Sequence, residues 1–201
     1  MADAAEETTP EVEYKVSDNA AKNVEEILAA DADDESLRKY KESLLGSAAH
    51  GDVGNKDDPR RLIVTEFKVV FDPAENRPDM IFNLDTPEGL TNLQTKGISL
   101  KEGCKYKFRL SFVVQHEIIS GIKFVSKIKK AVFSDKEDIM IGSFAPSSKP
   151  HEFDFPKFGY REAPAGMLFR GKYDAKNSFI DSEKTSHLEF GYVVDIKKAW
   201  D

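Results

Sequence analysis

Residues 104–114 read CKYKFRLSFVV, with Tyr106, Phe108, Leu110, Phe112 and Val114 alternating against Lys105, Lys107, Arg109 and Ser111. A period of two, with large apolar side chains on one side and charge on the other, is a strand with one face in a core. The same period recurs on both sides of it. Downstream, GIKFVSKIK sets Ile122, Phe124 and Ile128 against Lys123, Lys127 and Lys129, and HLEFGYVVDIKK keeps Leu188, Phe190, Tyr192, Val194 and Ile196 in phase. Upstream, RRLIVTEFKVVFD reads as Ile63, Thr65, Phe67, Val69 and Phe71 on one face, and DMIFNLDT as Met80, Phe82 and Leu84. Further strands are expected around DIMIGSF, GMLFRGKYDA and NSFID. Short strands split by Gly, Pro and Asp turns predict an all-β fold, an immunoglobulin-like antiparallel β-sandwich over residues 59–201. There is no βαβ alternation and no fixed repeat.

The inward faces are unusually rich in large side chains: Phe67, Phe82, Tyr106, Phe108, Phe112, Phe124, Phe169, Phe190 and Tyr192. Two readings stay open from the residues alone. One is a well-filled core. The other is a sandwich pried apart at one end to hold an apolar ligand.

Residues 1–58 differ in kind. They carry 16 acidic and 6 basic side chains, a balance of −10, whereas residues 59–201 carry 20 and 23, a balance of +3. All 14 phenylalanines and Trp200 follow residue 59. Few aromatics with high charge cannot offset the entropy of ordering the chain, which predicts a flexible acidic regulatory arm over 1–58. Inside it, residues 18–46 hold two short helix signals. SDNAAKNVEEILAA offers Ser17 or Asp18 as cap and Val24, Ile27 and Leu28 on one face. DDESLRKYKESLLG offers Asp33 or Asp34 as N-cap, a stripe of Leu37, Tyr40 and Leu44, and Gly46 as a stop. Helices this short are marginal alone, so the stripe needs a surface on this chain or another. Residues 46–58, small and polar, read as a flexible linker. An acidic arm argues against nucleic acid and anionic membrane as its target and favours a basic protein surface.

The chemistry of an enzyme is missing from the pattern. His50, His116, His151 and His187 are scattered without metal-ligand spacing, and neither GxxxxGK[ST] nor a strand-linked GxGxxG occurs. The single cysteine, Cys104, lies in a strand alternation, as a packed side chain would, and suits a reducing compartment. Lys123, Lys127, Lys129 and Lys130 have the period of a solvated strand face. MADAAEETTP has neither part of a secretory signal, and no run is long enough to span a membrane. A cytosolic, non-catalytic protein without cofactor or metal is expected, binding no nucleic acid and making no stable membrane insertion.

Several blocks in one order, DDESLRKYKESLLG, LKEGCKYKFRLSF, EIISGIKF, DIMIGSFAP, EAPAGMLFRGKY and KTSHLEFGYVVDIKKAW, resemble the Rho GDP-dissociation inhibitors from about Asp18 onward. The resemblance implies a regulator of prenylated Rho-, Rac- or Cdc42-like small GTPases, GDP-bound by preference. Such a protein is a monomer alone and a 1:1 heterodimer with its client. The arm would fold into two helices on the switch regions, with Asp34 at the switch I threonine and Ser36, Arg38 and Tyr40 in the same contact region. The sandwich would take up the geranylgeranyl group among Val69, Ile98, Tyr106, Ile118, Leu168, Phe190 and Tyr192. Asp135, Asp138 and Glu162 would face the polybasic tail beside the prenylated cysteine. The chain departs from the family where Phe190 and Tyr192 stand in place of two tryptophans and in a longer segment 147–161. A general prenyl or lipid carrier without the inhibiting arm is the alternative.

Overall fold

The computed structural model describes residues 24–29, 34–131 and 133–200. Two five-stranded sheets face each other. The first contains β1 (Leu62–Phe71), β2 (Met80–Asn83), β4 (Lys105–Val114) and β7 (His151–Phe155), ordered β2-β1-β4-β7, with the short β8 (Arg161–Glu162) also on β4. The second runs β3 (Ile98–Lys101), β10 (Ser186–Lys197), β9 (Gly171–Ile180), β5 (Ile119–Lys130) and β6 (Phe133–Phe144). Every pairing is antiparallel except β3 with β10, which makes the second sheet mixed.

The alternation in β4 and β10 is realised as read: Tyr106, Phe108, Leu110, Phe112 and Val114 are buried, as are Phe190, Tyr192, Val194 and Ile196. Between the sheets Phe67 is the hub. Its ring stacks on Phe108 at 5.1 Å in its own sheet and meets Phe190 at 5.6 Å and Tyr192 at 5.5 Å across the gap. Aromatic pairs at these separations add to what area burial alone provides.

The strand β1 does not keep a single phase. Val64 faces Phe112 but Glu66 faces Ser111, so Thr65 is the extra residue of a β-bulge. Leu62 and Val64 point inward before it, and Phe67, Val69 and Phe71 after it; the expected run through Ile63 and Thr65 is therefore corrected. The stretch GMLFRGKYDA is also divided. Residues 166–169 form a turn, and a single strand from Gly171 takes in both KYDA and NSFI.

Sequence reading missed the helix α3 (Pro87–Lys96), although its signals are present. Thr86 accepts a hydrogen bond from Gly89 N, Pro87 opens the first turn and Gly97 closes the last. The helix touches β2 and β10 and so covers one long edge of the sandwich, with Leu93 fully buried beneath it. It sits so close that a β-carbon at Gly89 would stand 1.9 Å from the Asn83 carbonyl oxygen. No helix of the described residues is long and apolar enough to cross a membrane.

Because Leu93 is the wedge that seats α3, Leu93→Ala is expected to destabilise the fold by about 3 kcal/mol. Urea unfolding checks this; a loss below about 1 kcal/mol would mean α3 is dispensable to the closed edge.

Candidate functional site

The expected site residues fall in two places in the fold. The first is the long edge opposite α3. Inward-facing residues of the second sheet form rows: Phe190, Asn177, Ser126 and Glu137 in one, Tyr192, Ala175, Ile128 and Asp135 in the next. Along each row the cover thins toward β6. Phe190, Asn177, Tyr192 and Ala175 are buried, Ser126 and Ile128 are half-buried, and Asp135 is exposed. Across the gap, Arg161 on β8 donates to both carboxylate oxygens of Glu137 on β6, at 3.1 and 3.0 Å. The guanidinium lies 5.0 Å from the Phe155 ring and 6.0 Å from Tyr106. This ion pair, laced over aromatic rings, spans one end of an edge that no helix of the described residues closes; toward the other end Phe144 of β6 meets Phe112 and His151 at 5.0 and 4.7 Å.

Polar groups reach inward behind that pair. Asn177 is fully buried, and its Nδ2 donates to the Tyr192 hydroxyl at 3.1 Å, while its Oδ1 accepts nothing among the described residues. Burial pushes the Tyr192 and Tyr106 phenols upward, so both remain protonated donors at neutral pH. Burial likewise pushes the Cys104 thiol up to about 11, which suits a packed side chain and not a nucleophile.

Five of the seven positions expected around a lipid come together in one core: Val69, Ile98, Tyr106, Phe190 and Tyr192. The other two do not join them. Ile118 packs in a separate cluster with Val24, Leu45 and Ala48. Leu168 is 84% exposed on the turn before β9. That turn is held from beneath: Glu102 accepts from Gly166 N and pairs with Arg170, Lys130 donates to Leu168 O, and Tyr173 donates to Phe169 O. Of the three acidic positions, Asp135 is on the inward face of β6 and Asp138 on the outward face, where it pairs with Lys136 at 2.8 Å. Glu162 lies on β8 opposite Lys105. Glu137, Arg161 and Asn177 were missed. Their signal was available in part, since Asp135, Glu137 and Ile139 share one strand phase.

The second place is the arm. Its helix α2 (Glu35–Leu45) is capped by Asp34, whose carboxylate accepts from Ser36 N at 2.9 Å and Leu37 N at 3.1 Å. Glu35 pairs with Lys39 one turn on. Among the described residues nothing covers the stripe: Leu37, Tyr40 and Leu44 are 42, 62 and 63% exposed. Ser36 is exposed and Arg38 is part of the helix; the side chains of Arg38 and Leu28, and the expected caps Ser17, Asp18 and Asp33, are outside the described residues. The helix α1 (Val24–Ala29) instead buries Val24 with Leu45 and Ala48 against Ile118 and Ala145.

Residues 46–58, expected as a flexible linker, make specific contacts with the body. Gly46–His50 is a 3-10 turn. The Asp52 carboxylate accepts from Ser148 N and from the Ser148 hydroxyl, and these bonds hold it below the usual carboxylate range. Asn55 N donates to Gln115 Oε1 at 2.7 Å, and His116 N to Val53 O at 2.8 Å. Local polar side chains supply the partners that an apolar face would not.

His151 packs between Phe112 and Phe144, and its Nε2 has no hydrogen-bond partner among the described residues. Burial holds the imidazole below its ordinary 6.5. The folded state therefore keeps it neutral while the unfolded chain takes up a proton, so stability present above that pH falls as pH drops through it. His151→Phe is expected to lose less stability between pH 8 and pH 5.5 than the wild type. Equal losses in urea unfolding would contradict the assignment.

The comparisons with known proteins agree with this architecture. The family model described as RHO protein GDP dissociation inhibitor matches residues 1–199. Relatives named as Rho GDP-dissociation inhibitors include proteins of Dictyostelium discoideum, 43% identical over 89% of this chain and 88% of the relative, and of Rattus norvegicus, 40% identical over 97% and 90%. One from Saccharomyces cerevisiae is 39% identical over 92% of this chain and 91% of its own length. All are named for restraining a dissociation, the work of regulators and not of enzymes.

Proposed function

The chain belongs to the Rho GDP-dissociation inhibitor family, and from that premise we propose a two-site grip on a prenylated, GDP-bound Rho-, Rac- or Cdc42-like GTPase. The observation that carries the proposal is the asymmetry of the sandwich. One long edge is sealed by α3, while the opposite edge carries no helix among the described residues and is bridged by the Arg161–Glu137 pair between β8 and β6, with Phe144 against Phe112 and His151 further along. In this reading a geranylgeranyl group enters there and lies against Tyr106, Phe190 and Tyr192, with Val69 and Ile98 behind. Leu168 folds down from its exposed turn and Ile118 borders the far end. Asp135 and Glu162 receive the basic tail at the entrance, and Asp138 does so after parting from Lys136.

The arm supplies the second contact. Leu37, Tyr40 and Leu44 offer the switch regions an apolar stripe, with Asp34, Ser36 and Arg38 around it. Burying a methylene contributes about 0.8 kcal/mol, so sheltering the lipid gains on the order of 10 kcal/mol gross. A bilayer gives back nearly the same amount, so net extraction draws on the protein contact. Docking α1 and residues 46–58 on the body places α2 near the client once the lipid is seated, raising its effective concentration there. Exchange is inhibited because the arm prefers the GDP-bound switch arrangement, since only differential affinity shifts an equilibrium. The resulting 1:1 complex is held in the cytosol.

Asp34→Asn separates charge from capping, since Asn caps a helix as well as Asp. The variant is expected to restrain GDP release from geranylgeranylated GTPase about tenfold less potently while its helix persists. Unchanged GDP release would remove Asp34 from the mechanism. A carrier without arm function would bind the prenylated client and leave GDP release untouched in both proteins.

A further inference from the structure

Exposed apolar side chains gather around β8. Of the ten large ones that stand exposed among the described residues, three form the α2 stripe and five, Phe158, Tyr160, Met167, Leu168 and Phe169, sit on the two turns that flank β8. Phe158, Met167 and Leu168 are 84, 80 and 84% exposed. The second turn is nevertheless fixed: Glu102 holds Gly166 N and Arg170, and Lys130 holds Leu168 O. Apolar tips on a fastened backbone contribute nothing to the fold, while their ordering is complete before any contact is made. Exposed apolar clusters of this kind mark interaction surfaces.

The neighbouring charges say what such a surface fits. Residues 156–172 carry Lys157, Arg161, Arg170 and Lys172 against Glu162 alone. The carboxylates that reach this stretch from other elements, Glu137 and Glu102, are each held by an arginine. Phe, Tyr, Met and Leu beside Lys and Arg are side chains that settle at a membrane interface. A folded partner would need two pockets matched to two separate tips, whereas lipids give way around each one. The docked base of the acidic arm lies far off. Asp52 binds Ser148, shortly after Phe144 opposite Ile119 at the start of β5. Lys130, which holds the turn, ends that 12-residue strand about 35 Å away. An anionic leaflet at the turns therefore meets cations and avoids the base of the arm. We propose that the two turns flanking β8 form a bilayer-contact surface, entering the headgroup boundary of an anionic membrane weakly and reversibly. The contact itself is independent of the slot; only its use, bringing the open edge to the lipid that will be sheltered, rests on the grip proposed above.

The test uses the full chain, in which Cys104 is buried and a single introduced cysteine takes an environment-sensitive dye. On phosphatidylcholine vesicles containing phosphatidylserine, dye at Met167→Cys is expected to shift blue, and less so on phosphatidylcholine alone. Dye at Ser148→Cys, exposed at the other end, is expected to stay as in water. No shift at position 167, or an equal shift at 148, would overturn the surface. Phe158→Ser with Met167→Ser, both exposed positions, is expected to weaken co-sedimentation with phosphatidylserine vesicles at least about tenfold. The same variant is expected to bind a soluble S-geranylgeranylated cysteine peptide as the wild type does. A change in vesicle binding below about twofold would contradict the proposal. So would a matching loss of peptide affinity, which would put these residues in the slot, or a loss confined to binding of unprenylated GTPase, which would make them a client contact. If the wild type binds vesicles but no peptide, the slot falls and the surface stands.

Discussion

The contact on which the molecule depends is the one Phe67 makes across the gap with Phe190 and Tyr192. The first sheet contributes one ring at the hub and the second contributes two, and the rest of the core is arranged around their separation. Close packing in an interior leaves little slack, so a sheet pair pinned at its centre can differ only at its margins. The margins do differ. At the β2–β3 side, α3 fills the wedge with Leu93 and is brought in tight by Gly89. At the β6–β8 side no helix of the described residues fills the wedge: Glu137 and Arg161 bridge it over Tyr106, and the partly buried Ile139, Ile141, Phe144, Phe153 and Phe155 pack against the core beside them. The sandwich is thus asymmetric, with a helix over one long edge and none of the described helices over the other.

The arm follows a different physical rule. Its helices are too short and too charged to be stable alone, and what order they have comes from three small anchors: Val24, Leu45 and Ala48 in one apolar cluster, Asp52 on Ser148, and Asn55 on Gln115. These anchors secure the base of α2 and leave its stripe facing outward. In the proposed grip the cost of ordering is thus met partly before any client arrives, and the remainder is left for the stripe to offset on binding.

How much of this could be read from the sequence depends on where two signals coincided. In β4 and β10 the period of two, the aromatics and the charges all agree, and the inward residues are those read in advance. In β1 the extra Thr65 reverses the phase without altering composition, so periodicity alone pointed Ile63 the wrong way. The helix α3 has a poor apolar stripe and was passed over because its evidence lies in its ends, Thr86, Pro87 and Gly97. The linker deceived for the opposite reason. Small polar residues resemble free chain until Asp52 and Asn55 are seen with Ser148 and Gln115, each pair separated by more than half a hundred positions. At the site, the ring-bearing residues announced themselves by type, whereas Asn177 and Arg161 act through partners that only the fold brings near.

The central claim is that the sandwich opens at the β6–β8 edge and is sealed at the α3 edge. Amide hydrogen exchange of the full chain, with and without an S-geranylgeranylated cysteine peptide, tests it most directly. The account predicts slower exchange in β5, β6, β8 and β9, with α3 and β2 unaffected. Protection gathered at α3 and β2, or peptide binding with no change along β5 and β6, would contradict it.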